Sequence, residues 1–187
     1  MKVAVLLTDG FEQVEMTEPV QALQSVGARP ELVSPAKGKV QGMNHDEKGD
    51  TFPIDVPLDR ADPDEYDALL LPGGMKNPDK LRLEPKAIDF VRAFVRSDKP
   101  IAAICHGPWT LIDAEGVKGK RMTSWPSLKT DLRNAGANWV DETVVVDGKL
   151  VTSRKPDDIP AFTEKMIQLF AQGGRHARDR ELAGLQR

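Results

Sequence analysis

Short apolar runs that each end in a turn are the feature that most restricts the fold of this chain. Three of them span residues 3–7, 66–71 and 101–104. Runs of this length suit strands that are buried on both faces, as the strands of a parallel sheet are. Segments with helical spacing follow them, at residues 14–26, 85–95 and 160–170. The alternation predicts an α/β fold with a doubly wound, mostly parallel sheet, whose ligands bind beyond the carboxyl ends of the strands.

Shorter elements complete the predicted domain. Residues 31–34 form a further strand, and residues 36–60, rich in Gly, Asp, Lys and Pro, form an excursion of short strands. Asp147-Gly148 between two apolar runs indicates a β-hairpin. Short helices are expected at residues 109–114 and 127–134.

The chain is expected to form a single domain over residues 1–172, because 187 residues suffice for one hydrophobic core. Residues 173–187 are polar and are predicted as a surface tail or helix, with a partner-binding arm as the alternative. The arginines of this segment are Arg175, Arg178, Arg180 and Arg187.

Composition excludes several classes of protein. Cys105 is the only cysteine, which rules out a disulfide within the chain, and no Cys/His cluster suggests a zinc site. We therefore expect no metal and no cofactor. The formal net charge of −3 offers no general attraction to nucleic acid. The apolar stretch near the N-terminus is too short for a signal peptide or a membrane span, so a cytoplasmic protein without membrane contact is expected.

Cys105 stands where the predicted strand of residues 101–104 ends and a helix begins. A sharp turn of this kind, a nucleophile elbow, strains the backbone of its central residue and needs small residues two positions away on each side. Those positions hold Ala103 and Gly107. A cysteine at the carboxyl edge of a sheet, facing a helix N-terminus, is expected to be a reactive thiolate. A buried core cysteine is the alternative.

Two other turns are expected to approach this elbow, because the carboxyl ends of parallel strands lie on one side of a sheet. They are residues 8–15 and Pro72-Gly73-Gly74. The backbone N–H of His106 and a second N–H, from Gly73 or Gly74, would then form an oxyanion hole. An ordinary glycine turn is the alternative.

Glu15 lies between Val14 and Met16, an apolar setting that predicts partial burial. A protonated Glu15 would donate a hydrogen bond to the Cys105 sulfur, and the two groups would titrate as a coupled unit. The same contact could hold an oxidised sulfur. A helix-start acid that faces solvent is the alternative.

His106 is the candidate general base, although side chains adjacent in sequence usually diverge, which leaves open whether its imidazole serves the thiol or the substrate. The substrate pocket is assigned to Glu12, Gly73, Trp109 and Trp125. A plain surface charge is the alternative for Glu12, and packing beneath the turn is the alternative for Trp109. Core packing is expected of Trp139, and surface positions are expected of His45 and His176.

Five segments together resemble one known family. They are Gly-Phe-Glu-Gln-Val-Glu at 10–15, Tyr-Asp-Ala-Leu-Leu-Leu-Pro-Gly-Gly at 66–74, Ala-Ile-Cys-His-Gly-Pro at 103–108, Thr-Ser-Trp-Pro at 123–126 and Val-Val-Val-Asp-Gly at 144–148. In order and spacing the chain is similar to the PfpI-like intracellular cysteine peptidases of the DJ-1/PfpI superfamily, with a class I glutamine amidotransferase-like fold. The resemblance covers nearly all of residues 2–170.

The resemblance implies a flavodoxin-like fold in which helices enclose the sheet and Cys105 is the nucleophile at the elbow. It implies Glu15 as the acid against the sulfur and His106 as the adjacent histidine. In the PfpI-like branch an acid of the neighbouring subunit orients that histidine, and the matching position here is Asp79. Many relatives carry glutamate there, so Asp79 is one methylene shorter. A homodimer, or a larger assembly built from dimers, is the implied state.

The resemblance implies activities of several kinds, since members are described as peptidases, glutathione-independent glyoxalases, deglycases, chaperones and oxidative-stress sensors. Our leading hypothesis is a cytoplasmic, stress-protective enzyme whose Cys105 thiolate attacks reactive carbonyl compounds or peptides. His106 would shuttle protons, and the amides of His106 and Gly74 would hold the oxyanion. The second hypothesis is a redox-sensing or chaperone-like protein in which oxidation of Cys105 is the signal.

Overall fold

The fold is built on a seven-stranded sheet that is parallel except at one edge. The structure is a computed structural model that describes the backbone of residues 1–184 and the side chains of residues 1–173. The strands of this sheet, in chain order, are β1 (Lys2–Leu6), β3 (Arg29–Ser34), β6 (Val56–Pro57), β7 (Ala68–Leu71), β8 (Ile101–Ile104), β11 (Val144–Asp147) and β12 (Leu150–Ser153). Their spatial order is β11-β12-β8-β7-β1-β3-β6.

The remaining strands form small accessory sheets. They are β2 (Phe11–Glu12), β4 (Lys39–Asn44), β5 (Glu47–Pro53), β9 (Arg121–Met122) and β10 (Asn138–Trp139). Strands β4 and β5 form a hairpin, and β2 pairs with β4, so the predicted excursion returns to the segment that follows β1. The excursion also supplies β6, which joins the main sheet beside β3.

Six helices accompany the sheet within the described residues. They are α1 (Gln13–Ser25), α2 (Lys76–Arg82), α3 (Pro85–Arg96), α4 (Pro108–Asp113), α5 (Lys129–Asn134) and α6 (Ile159–Gly184). Because α6 continues to Gly184, the backbone of most of the predicted tail is helical. The side chains of its arginines and of His176 lie outside the described residues. None of the helices that the structure describes is long and apolar enough to cross a membrane.

Both faces of the sheet are covered, which explains why its strands are apolar throughout. Ala4 and Leu6 of β1 belong to a core with Phe90 and Phe94 of α3. The alternate residues of β1, including Val5, belong to a second core that contains side chains from α1 and α6. Each fully buried Val, Leu or Phe side chain contributes roughly 1.5–3 kcal/mol to the free energy of folding. The predicted α/β sandwich with a mostly parallel sheet is confirmed.

The order of the strands places a crevice beside β1. From β1 the chain passes to β3 and β6 on one side, then returns to β7 and β8 on the other side. Ligand sites in such sheets lie at this reversal, beyond the carboxyl ends of the strands. The loop after β1 and the turn after β7 flank that point, and the turn after β8 is the next one along.

Helix α2 was not expected from the sequence. It has seven residues and contains Pro78 in its first turn, a position where the missing N–H would have no partner within the helix. The helix begins directly after the Gly73-Gly74 turn, and it buries Asn77 and Leu81.

Candidate active site

Cys105 occupies the sharp turn between β8 and α4, and its backbone has a φ of 61°. This left-handed conformation is strained for a residue with a side chain, and the surroundings hold it in place. The Cys105 N–H donates to the Ser153 carbonyl at 3.0 Å, and the Cys105 carbonyl accepts from the Trp125 N–H at 2.9 Å. Gly107 is required because a Cβ there would lie 2.5 Å from the Leu71 carbonyl oxygen.

The three predicted turns meet around Gly73. A Cβ at this glycine would lie 2.5 Å from Glu15 Oε2, 2.6 Å from Cys105 Cβ and 2.8 Å from the Ile104 carbonyl oxygen. Real side chains do not approach so closely, so only glycine fits between the acid and the cysteine. The structure thus brings Glu15, Gly73 and Cys105 into direct contact.

Glu15 is completely buried, which exceeds the partial burial expected from the sequence. Its Oε2 accepts the Gly73 N–H at 2.9 Å. Its Oε1 has no partner in hydrogen-bond geometry among the described residues, although the Cys105 sulfur is near enough to influence its ionisation. Burial raises the pKa of Glu15 to about 8, against the smaller lowering by Cys105 and by the Gly73 N–H. Glu15 therefore carries a proton at neutral pH.

The sequence favoured a reactive thiolate at Cys105, whereas the surroundings in the fold raise the pKa of its thiol. Burial raises the pKa of the Cys105 thiol, and an ionised Glu15 would raise it further. The backbone N–H groups of Gly74 and His106 point at the sulfur and lower its pKa, but by less. Helix α4 has only six residues, so its dipole offers little compensation. The same two amides are the expected oxyanion donors.

The imidazole of His106 reaches the thiol directly. Its Nδ1 lies 3.2 Å from the Cys105 sulfur, so the usual divergence of neighbouring side chains does not apply at this strained turn. Burial lowers the pKa of His106 to about 4, which leaves a neutral ring at pH 7. A thiol that donates to Nδ1 places the remaining ring proton on Nε2.

Two tryptophans flank that imidazole. Trp125 stacks on the ring at a centroid distance of 5.7 Å and an interplanar angle of 21°. Trp109 meets it edge-on at 5.2 Å. Both predicted pocket residues therefore lie at the site, where their rings contact His106. Trp139, by contrast, is buried in the core, as predicted.

Glu12 lies at the rim and turns toward the β4–β5 hairpin. Its carboxylate accepts the backbone N–H of His45, with N–O distances of 3.1 and 3.3 Å. The side chain of His45 is 84% exposed, in accordance with its predicted surface position. Negative charge on Glu12 contributes to the raised pKa of Glu15. Glu12 therefore influences the site electrostatically while its side chain holds the hairpin.

Asp79 lies on the exposed side of α2. Within the described residues it forms no hydrogen bond or ion pair with His106 of its own chain.

Asn77 is a site residue that the sequence analysis missed. It is 1% exposed. Its Oδ1 accepts the Thr8 N–H at 2.8 Å, and its Nδ2 donates to the carbonyls of Pro72 and Gly73 at 3.1 Å each. Asn77 thus ties the loop after β1 to the glycine turn. In the sequence, Asn77 is only a polar residue three positions after Gly74. Its role could not be inferred without knowing that α2 begins at Lys76.

The described part of the chain contains no group of three or more His, Cys, Asp or Glu side chains that could hold a metal ion. What the site does contain is a thiol, a neutral imidazole at hydrogen-bond distance, a protonated buried acid and two backbone N–H groups aimed at the sulfur. This set suits nucleophilic attack on an electrophilic carbon.

Comparison with known proteins identifies a family for this arrangement. The model of the DJ-1/PfpI family matches residues 1–169. A putative cysteine protease of Bacillus subtilis is 44% identical over 169 residues, which are 90% of this chain and 98% of that protein. Protein/nucleic acid deglycase 2 of Escherichia coli is 44% identical over 172 residues, covering 90% of this chain and 97% of the relative.

A solved structure supports the same assignment. A two-domain protein of Anabaena variabilis with DJ-1/ThiJ/PfpI-like and ferritin-like domains superposes with a TM-score of 0.84 and 34% identity. The match covers 90% of this chain and 49% of that one.

Proposed function

The chain belongs to the DJ-1/PfpI family, and we propose that it is a cysteine-dependent enzyme that acts on reactive carbonyl compounds or on groups modified by them. The observation that carries the proposal is the 3.2 Å contact between the Cys105 sulfur and Nδ1 of a neutral His106, with two backbone amides directed at the same sulfur. The deglycase name of the Escherichia coli relative favours this substrate class. The name of the Bacillus subtilis relative makes peptide hydrolysis the competing activity.

The proposed reaction begins with a neutral thiol. As the sulfur attacks an aldehyde carbon, a C–S bond forms, the S–H proton passes to His106 Nδ1, and the carbonyl π electrons move to oxygen. The N–H groups of Gly74 and His106 hold the resulting oxyanion. Because Glu15 is protonated, it adds no negative charge beside the sulfur during this step. The product of the step is a thiohemiacetal, formed when the oxyanion recovers the proton from His106.

Asp79 of a second copy is proposed to stabilise the imidazolium that forms in this step. A buried ring with a pKa of about 4 is a weak base, and a carboxylate near Nε2 would raise that pKa. Asp79 is exposed and therefore available to a partner subunit. Asp79→Ala should lower turnover with little change in stability. A protein that is strictly monomeric in solution would remove this role.

The enzymatic proposal is tested by incubating the protein with methylglyoxal, a glycated peptide and casein, beside Cys105→Ser. Turnover of at least one substrate should fall by about 100-fold or more in the serine variant. Equal thermal unfolding of the two proteins would show that the loss is chemical. Absence of turnover on all three, or equal turnover by the variant, would refute the proposal.

A second function is favoured by Oε1 of Glu15, which is buried and has no partner in hydrogen-bond geometry among the described residues. A protonated carboxyl can donate to a sulfinate oxygen and hold that oxidation state. Mild peroxide should then give stable sulfinic Cys105 by mass spectrometry, and Glu15→Leu should change how far oxidation proceeds. An identical product distribution in the two proteins would contradict the role of Glu15 in sensing.

A further inference from the structure

The imidazole of His106 is one layer of a stack that three other side chains complete. The guanidinium of Arg82 lies 5.6 Å from the Trp109 ring centroid, Trp109 meets His106, and His106 meets Trp125. We call Arg82, Trp109, His106 and Trp125 the aromatic stack. Its members come from α2, from α4 with the turn before it, and from the loop after β9.

The two tryptophans of the stack are anchored differently. Trp109 Nε1 donates to Asp131 at 2.9 Å, and Arg82 packs on the ring, so the indole is held from two sides. Trp125 is 38% exposed, and its backbone N–H, rather than its indole, provides the bond to the Cys105 carbonyl. The Trp125 ring therefore lies against His106, on a backbone that is hydrogen-bonded to Cys105.

We propose that Trp125 is a positioning residue, whose stacked ring holds the His106 imidazole with Nδ1 toward the Cys105 sulfur and keeps water away from it. This inference rests on the proposed function, because it assigns His106 the role of partner to the thiol. This role differs from that of a residue that lines the substrate pocket. The Trp125 ring would act through His106 whether or not a substrate is bound. A near-parallel stack restricts rotation of the imidazole about its side-chain bonds, whereas the edge contact with Trp109 alone leaves one face open.

The electrostatic surroundings agree with this assignment. The titratable groups around the ring are Cys105 at Nδ1, Glu15 beyond the sulfur, and Arg82 and Asp131 behind Trp109. Burial is the cause of the lowered pKa of His106. Removal of the Trp125 ring, which covers one face of the imidazole, should therefore admit water and raise the pKa of His106.

The test compares Trp125→Ala with Trp125→Phe, which retains a stacking ring. Histidine-labelled protein is titrated by NMR, and the rate at which iodoacetamide alkylates Cys105 is measured across the same pH range. In the alanine variant the pKa of His106 should rise by at least about one unit toward 6.5, and its inflection should vanish from the alkylation profile. The phenylalanine variant should retain both the low pKa and the inflection.

Two further variants serve as controls. Leu83→Ala removes a side chain that is 84% exposed on the surface after α2, and it should leave both readouts unchanged. Trp125→Leu keeps apolar bulk without a stacking face, so it supplies the comparison if the alanine variant does not fold, and it should lose the inflection.

An unchanged pKa and an unchanged alkylation profile in Trp125→Ala, or equal effects of alanine and phenylalanine, would overturn the inference. Neither readout requires turnover of a substrate. A protein that shows the expected pKa shift but does not process methylglyoxal would therefore refute the proposed function and keep the positioning role. Cys105-dependent turnover, together with an unchanged pKa of His106 in Trp125→Ala, would support the proposed function and refute the positioning role.

Discussion

Two buried glutamates at opposite ends of the sheet have contrasting surroundings. Glu31, near the amino ends of the strands, accepts a hydrogen bond from Tyr66 at 3.0 Å and lies 3.3 Å from the cationic groups of both Lys2 and Arg29. Glu15, beyond the carboxyl ends, accepts the Gly73 N–H, and none of the described residues forms an ion pair with it. Both residues are less than a tenth exposed.

The contrast shows how burial of an acid serves either packing or chemistry. The cations beside Glu31 balance a buried charge, so its carboxylate can contribute to folding. Glu15 lacks such a partner, and burial instead keeps its proton in place at neutral pH. A buried acid of this kind lowers the free energy of unfolding as the pH rises. Because Glu15 lies against the Cys105 sulfur, we attribute this loss of stability to a function in the site.

The largest effect is expected for Gly73→Ala, which disrupts the hydrogen bond from the Gly73 N–H to Glu15 Oε2. The added Cβ would overlap with Glu15 Oε2 and Cys105 Cβ, so the free energy of unfolding should fall by about 3 kcal/mol and alkylation of Cys105 should slow by at least tenfold. Urea unfolding and iodoacetamide kinetics measure the two changes.

Gly27→Ala is the matched control for that substitution. A Cβ at Gly27 meets nothing within 4 Å, but its φ of 78° imposes strain of about 1 kcal/mol. It should therefore destabilise the protein less and leave alkylation unchanged. Equal effects at the two glycines would mean that Gly73 serves only backbone conformation.

A smaller, opposite effect on stability is expected for Glu15→Gln. Because the pKa of Glu15 is raised from 4.5 to about 8, its stabilising contribution is fully present below pH 4.5 and is lost as the pH rises through about 8. A neutral glutamine avoids that loss, so the variant should be equal to the parent at pH 4.5 and more stable than it by about 2 kcal/mol at pH 6. Urea unfolding at the two pH values measures the difference.

Glu18→Gln, on the exposed face of the same helix, is the control and should show no such dependence on pH. His106 also titrates, since its pKa falls from 6.5 to about 4, and the stability it contributes is lost as the pH falls through that interval. This contribution is common to the parent and to Glu15→Gln, so it cancels in their difference. A stability difference independent of pH would contradict a protonated Glu15.

The smallest effect is expected for Glu31→Gln. Arg29 is largely exposed, so solvent screens its share of the lost attraction, and the free energy of unfolding should fall by only about 1 kcal/mol. Alkylation of Cys105 should not change, because Glu31 lies at the other end of the sheet. A change in alkylation rate as large as that expected of Gly73→Ala would abolish the functional distinction between the two acids.

Much of this arrangement could be predicted because the signals are local. The apolar strand ending at Cys105, with Ala103 and Gly107 on either side, indicated the sharp turn without knowledge of the rest of the fold. The Gly73-Gly74 pair likewise indicated a turn close to the site. Parallel topology then required these segments to share one edge of the sheet, and the structure brings them together.

The features that were missed depend on three-dimensional context. The contact between Cys105 and His106 arises from the left-handed backbone at Cys105, which the usual divergence of neighbouring side chains does not describe. The raised pKa of the Cys105 thiol depends on the burial that surrounding elements impose, which the local sequence does not reveal. Pro78 concealed helix α2 and with it the role of Asn77.

The most direct test of the account is the pKa of Glu15 itself. Protein labelled with carbon-13 in the glutamate side chains can be titrated by NMR, with the Glu15 signal assigned through Glu15→Gln. A midpoint near 8 is the predicted result. A midpoint near 4.5 would mean that a charged carboxylate lies beside the sulfur, and it would contradict the account.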